Sequence, residues 1–145
     1  MPGIVVGVDG STGSVRALSW AAREAALHHA QLTVLTVHPT VISQWTSNPL
    51  KFPGDATAEE TARQAAQEAT LKVTSELGDA QPAGVTVEAV TGSPAGELIK
   101  ASRDADLVVV GSRGGGGFAS LLVGSVSSQV VHHAACPVVV IPAGK

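Results

Sequence analysis

The chain has 145 residues, of which 44% are hydrophobic and 14% charged, and its formal net charge is -3. That length suits one domain with its own core, the apolar content excludes a disordered chain, and 9 basic against 12 acidic residues leave no basic stripe for a nucleic-acid backbone. Two Phe, two Trp and no Tyr offer little for stacking on bases, and one cysteine excludes an internal disulfide and a multi-cysteine zinc site.

The first β-rich segment is 4–9, near-continuously apolar until it ends on Asp9. A helical pattern follows over 14–30, where Leu18, Ala21, Ala22 and Ala25 form one apolar side. The second strand is expected over 32–37. Residues 38–57, HPTVISQWTSNPLKFPGDAT, then read as a long loop, of a length that is commonly functional. A second helix is expected over 58–77, repeating through Ala62, Ala66, Ala69, Val73 and Leu77. The third strand, 85–90, alternates polar and apolar residues as an edge strand does. Ser93-Pro94 is an N-cap followed by proline at the first helical position, which starts a third helix ending near Ser102. The fourth strand is 107–111. A glycine-rich stretch, GSRGGGGFASLLVGS over 111–125, leads to a fourth helix that starts near Ser125 and ends before Cys136-Pro137. The last strand, from Pro137 to Ile141, is as apolar as the first and fourth, and these three are expected to lie in the sheet interior.

The order βαβαβαβαβ implies one α/β domain, a mostly parallel sheet with helices on both faces and right-handed crossovers. No apolar run is long enough for a membrane-spanning helix. The opening MPGIVVGVDG shows no basic segment ahead of an apolar one, so a cytoplasmic location is the expectation.

In an open parallel sheet a ligand binds beyond the carboxyl ends of the strands, at the point where strand order reverses. The residues that follow the strands are Asp9-Gly10-Ser11, Val37-His38, Thr91-Gly92-Ser93 and the glycine-rich stretch. Glycines allow successive N–H groups to point at one anion, and Gly124-Ser125 opens a helix whose N-terminus is a second anion site. A loop and a helix end together suit a polyphosphate better than a single carboxylate, with Arg113 as a charged partner. The alternative, a mobile connection, is weakened by the position of the loop directly after a buried strand. Neither G-x4-G-K-[ST] nor G-x-G-x-x-G occurs here.

Asp9 ends a buried strand, where a carboxylate either caps the next turn or meets a ligand. His28-His29 and His132-His133 are adjacent pairs that diverge on a helix and make poor chelates; they read as C-terminal residues complementing the dipole. His38 is a further candidate for the pocket wall. Cys136 reads as a buried structural thiol. No nucleophile, base and acid set is visible, and no serine lies in a G-x-S-x-G elbow.

The spacing G-x2-G-x9-G-[ST], met by Gly111, Gly114, Gly124 and Ser125, resembles the ATP-binding signature of the universal stress protein family. The opening IVVGVDGSTGSVRALSWAAREA, the segment TGSPAGELIKAS and the C-terminal third are similar to that family too; only about 40–57 matches poorly. The resemblance implies a Rossmann-like domain of the adenine nucleotide α hydrolase-like type, with strand order 3-2-1-4-5. It also implies a homodimer joined through the last strand, from Pro137 to Ile141, and an adenine nucleotide ligand, ATP with Mg2+. By analogy Asp9 and the Val37 backbone hold the adenine and Gly7 lets it approach. Gly111, Ser112, Arg113, Gly114, Gly115, Gly116 and Gly117 wrap the ribose and phosphates, and Gly124, Ser125 and Val126 contribute the helix end. The function it implies is a cytoplasmic, nucleotide-dependent stress-response regulator or sensor rather than an enzyme, with at most slow ATP hydrolysis. Neither nucleic acid nor membrane is an expected partner. The alternatives are a cyclic-AMP-binding member, a nucleotide-α-phosphate-cleaving enzyme of the same broad fold, whose SGGxDS or HxGH-like loops DGSTGS does not match, and a scaffold that binds nothing.

Overall fold

In the computed structural model, residues 3–39, 54–112 and 125–142 are described. β1 (Ile4–Val8), β2 (Gln31–Pro39), β3 (Gly84–Gly92), β4 (Leu107–Gly111) and β5 (Val138–Ile141) alternate with α1 (Thr12–His28), α2 (Gly54–Ser75), α3 (Pro94–Ser102) and α4 (Ser125–His133). The sheet has the order β3-β2-β1-β4-β5, with every pairing parallel.

Alternation along the strands divides the core between the two faces of the sheet. Ile4, Val6, Leu32, Val34 and Val109 pack with Ala17, Leu18, Ala21, Ala22 and Ala25 of α1 and with Ala66 and Val73 of α2. Val5, Leu35, Val108 and Val110 pack on the other face with Ala95 and Leu98 of α3 and Val130 of α4. The alanine stripe of α1 is fully buried from Ala17 to Ala25 wherever it faces the sheet, and its small side chains let the helix lie close to β1 and β4.

Helix ends follow from local chemistry. Ser11 caps α1, its hydroxyl accepting from the Ser14 N–H at 3.2 Å, so the helix starts two residues before the expected Ser14. At the other end His29 takes the left-handed conformation, φ 51°, and its N–H reaches the Ala25 and Ala26 carbonyls. Ser93 caps α3 through the Gly96 N–H at 3.2 Å, with Pro94 inside the first turn, as the Ser-Pro pair predicts. Gln81 closes α2 by donating its side-chain amide to the Thr74 and Gly78 carbonyls, each at 2.9 Å.

Two expectations need correction. β5 pairs with β4 alone among the described residues and is an edge strand, not an interior one; a run of Val and Ile reports that a strand's faces are covered, not how many neighbours it has. The loop expected over 38–57 is shorter at both ends. β2 stays in register with β3 through His38↔Thr91 and Pro39↔Gly92, and α2 begins at Gly54; residues 40–53 lie outside the described residues.

Candidate functional site

The strand order reverses between β1, which continues outward to β2 and β3, and β4, which continues to β5. Pairing runs Ile4↔Leu107 to Val6↔Val109 on one side of β1 and reaches Val8↔Thr36 on the other. The carboxyl end of β1 is therefore level with Val37 and flanked by the end of β4, which brings Asp9, Val37, Gly111 and Ser112 to one edge of the sheet.

Asp9 is exposed and fixed by its own turn. Its carboxylate Oδ1 accepts from the Ser11 N–H at 2.9 Å, and its N–H donates to the Ser14 hydroxyl at 3.2 Å. That hydroxyl donates in turn to the Ser11 carbonyl at 2.9 Å. The turn-capping role expected for Asp9 is thus present, on a residue that directly follows β1 beside the reversal point. Gly10, φ 84°, supplies the left-handed residue that the tight β1–α1 turn requires.

β4 and α4 meet on the other side. The Ser112 N–H donates to the Ile141 carbonyl at 2.9 Å, which continues the sheet pairing one residue past β4. The Ser127 hydroxyl, nearly inaccessible in the first turn of α4, donates to the Ser112 carbonyl at 3.4 Å. This bond ties the amino terminus of α4 to the end of β4, so that exposed Ser125 and half-buried Val126 stand beside Ser112. The first N–H groups of a helix have no partner within it, and with the aligned peptide dipoles they form an anion-binding end. Arg113, Gly114, Gly115, Gly116, Gly117 and Gly124 lie outside the described residues.

Two of the glycines singled out have neighbours that account for them. A Cβ on Gly7 would stand 3.0 and 3.1 Å from the terminal carbons of Leu98, so the bare strand position accommodates α3. A Cβ on Gly111 would stand 3.2 Å from the carbonyl carbon and oxygen of Gly13, so β4 ends in backbone contact with the first turn of α1.

The other candidates separate from this cluster. His38 is half-buried and in register with Thr91, whose hydroxyl donates to Glu59 of α2 at 2.5 Å, so this corner belongs to the β2–β3 side of the sheet. His28, His132 and His133 stand in the last turns of α1 and α4, and His29 caps α1; His28 contacts Glu24 at 2.9 Å. Cys136 is half-buried just ahead of β5, and burial pushes its thiol pKa up, against a lowering hydrogen bond from the Val108 backbone. A thiol held protonated is a poor nucleophile, which agrees with a structural cysteine.

The sequence offers Ser127 only as one of several serines around the site, with Ser112, Ser120 and Ser125, and Ser14 only as the start of a helix, although both fix main chain at the strand ends. The signal for Ser14 was there in Asp9-x-Ser11-x-x-Ser14: an acid two residues before a cap, and the cap three before its partner.

The sequence profile described as the universal stress protein family matches residues 2–142. A universal stress protein of Mycolicibacterium smegmatis is 42% identical over 96% of this chain, which aligns with 47% of that relative. The chain spans about half the length of the curated relatives it matches. Among solved structures, UspA from Lactobacillus plantarum superposes with a TM-score of 0.80 at 26% identity, covering 97% of each chain. A universal stress protein in complex with cAMP superposes with a TM-score of 0.69 at 26% identity, covering 99% of this chain and 98% of the other.

Proposed function

The chain belongs to the universal stress protein family, and from that premise we propose that it binds an adenine nucleotide, ATP with Mg2+, at the reversal point between β1 and β4. The observation that supports this reading is the Ser127–Ser112 contact at 3.4 Å, which holds the amino terminus of α4 near the end of β4, next to the strand that leads to Asp9. The donor set fits the ligand. A carboxylate and a strand-end main chain, Asp9 and Val37, suit the amino group and ring nitrogens of adenine. The Ser125 and Val126 N–H groups suit phosphate oxygens, with Ser112, Arg113 and the glycines Gly111, Gly114, Gly115, Gly116, Gly117 and Gly124 as the loop between. Mg2+ would offset the phosphate charge. Gly7 serves this site by seating α3 beneath it.

Nothing in this arrangement calls for chemistry on the nucleotide. Among the described residues, the Ser11, Ser14 and Ser127 hydroxyls are engaged in main-chain bonds, and burial raises the Cys136 thiol pKa. The role we propose is that of a cytoplasmic regulator or sensor in the stress response, homodimeric through β5, in which nucleotide occupancy alters affinity for other proteins. Cyclic AMP is the second reading, favoured by the cAMP complex of a 26% identical relative. Mass spectrometry of nucleotide released from the purified protein, with calorimetric titration of ATP and of cAMP, separates the two. ATP is the expected ligand; cAMP alone would replace it, and no binding of either at millimolar concentration would remove the nucleotide reading.

A further inference from the structure

The carboxyl ends of β1 and β4 both meet the same two residues, Gly13 and Ser14, in the first turn of α1. On the β1 side the Asp9 N–H donates to the Ser14 hydroxyl at 3.2 Å, and that hydroxyl donates to the Ser11 carbonyl at 2.9 Å. On the β4 side a Cβ on Gly111 would lie 3.2 Å from the Gly13 carbonyl and 3.6 Å from the Ser14 nitrogen, so the two backbones touch. Ser14 is 5% exposed and its hydroxyl serves both as donor and as acceptor inside the turn. It is placed to act on a ligand only through its neighbours.

We propose that Ser14 is a positioning residue for nucleotide binding: its hydroxyl holds the Asp9 main chain against α1, and so sets the Asp9 carboxylate relative to the Gly111 end of β4. The proposal rests on the nucleotide reading above. An alanine at this position keeps the helix and its alanine stripe, but leaves the part-buried Asp9 N–H without the hydroxyl it donates to. The strand end then turns to find another acceptor, and the carboxylate on the same residue turns with it. Binding suffers because the recognition groups are no longer held in one arrangement before the ligand arrives.

The test compares Ser14→Ala, Ser14→Thr and Ser102→Ala in the full chain. Ser102 is a matched control: it is likewise buried, its hydroxyl donating to the Ile99 carbonyl at 2.5 Å and accepting from the Ala135 N–H at 2.9 Å. It lies at the end of α3, ahead of β4 and away from the strands' carboxyl ends. ATP affinity is read by calorimetry, stability by thermal melts, and exchange of the Asp9 amide by NMR without nucleotide. Loss of one hydrogen bond of ordinary net strength from the positioning network predicts roughly tenfold weaker ATP binding for Ser14→Ala. Its Asp9 amide should exchange faster even without ligand. Ser14→Thr keeps the hydroxyl and should bind nearly as wild type, and Ser102→Ala should melt lower with unchanged affinity. Wild-type affinity in Ser14→Ala, an equal affinity loss in Ser102→Ala, or a threonine variant as weak as the alanine one would each overturn the positioning role while leaving the nucleotide reading intact. A wild-type chain that binds no nucleotide would remove both.

Discussion

A methyl group added at Gly7 would meet both terminal carbons of Leu98 at 3.0 to 3.1 Å, and Leu98 is itself 3% exposed among Val5, Leu35, Val108 and Val110. Such a side chain cannot swing into solvent, so Gly7→Ala should destabilise the protein by about 1–2 kcal/mol through overpacking, measured by urea unfolding. Shortening the neighbour makes room: with Leu98→Ala in the same chain, the combined loss should be smaller than the sum of the single losses. The Cys136 thiol leads to a pH dependence. An unfolded thiol ionises at about pH 8.5, whereas burial first, and Asp106's charge after it, raise the folded value against the opposing Val108 contact. Above the unfolded pKa, the unfolded chain has released a proton that the native chain still holds, so stability should fall as pH rises from about 8.5 until the folded thiol also ionises. Urea midpoints across that range should show this fall in the wild-type chain and a flatter profile in Cys136→Ala.

Helix ends were the most legible elements, because caps are local. Ser93-Pro94 marked the start of α3 correctly, and Cys136-Pro137 marked where α4 must already have stopped. The start of α1 was placed two residues late, since Ser11-Thr12-Gly13-Ser14 has a loop composition, and its helical character comes from the Ser11–Ser14 cap bond. The apolar pattern ends the second strand at Val37, while pairing with β3 carries β2 on through His38 and Pro39. The same divide between local and long-range information holds at the site. That Asp9 and the segment after β4 belong together follows from strand order, which the resemblance supplied. The Ser14 bonds are local and follow the Asp9-x-Ser11-x-x-Ser14 spacing, whereas the Ser127 bond to Ser112 crosses a loop, and local sequence does not encode it. The C-terminus of α1 offers a test at this scale. His29 holds a left-handed conformation, φ 51°, that costs an L-residue about 1 kcal/mol or more and glycine almost nothing. His29→Gly should therefore raise stability by about 0.5–1 kcal/mol, read as a higher melting temperature, with the helix unchanged in circular dichroism.

At the scale of the whole molecule the unresolved physical problem is the edge of the sheet. β3 meets it with alternation: Val85, Thr86 and Glu88 are exposed, and a strand with a charge and a threonine outward is a poor template for another chain. Among the described residues β5 has no such protection. All four residues, Val138, Val139, Val140 and Ile141, are half-buried, and no charge interrupts them. An apolar edge left open in water invites pairing, and the outcome that stays soluble is a closed, two-fold pairing with an identical edge on a second copy, because each copy then covers the other and no edge remains to propagate. The family resemblance implies a dimer through β5, with which this edge is compatible, and sedimentation equilibrium should then give twice the chain mass. Val139→Lys, in the middle of the strand, would bring two ammonium groups to the two-fold seam and should yield the monomer mass; because Val139 also packs against the α1 side of the core, the variant should melt lower, and far-UV circular dichroism checks that it is folded at the temperature of the measurement. A wild-type chain that sediments as a monomer at all concentrations would show that β5 is covered by something other than its own copy.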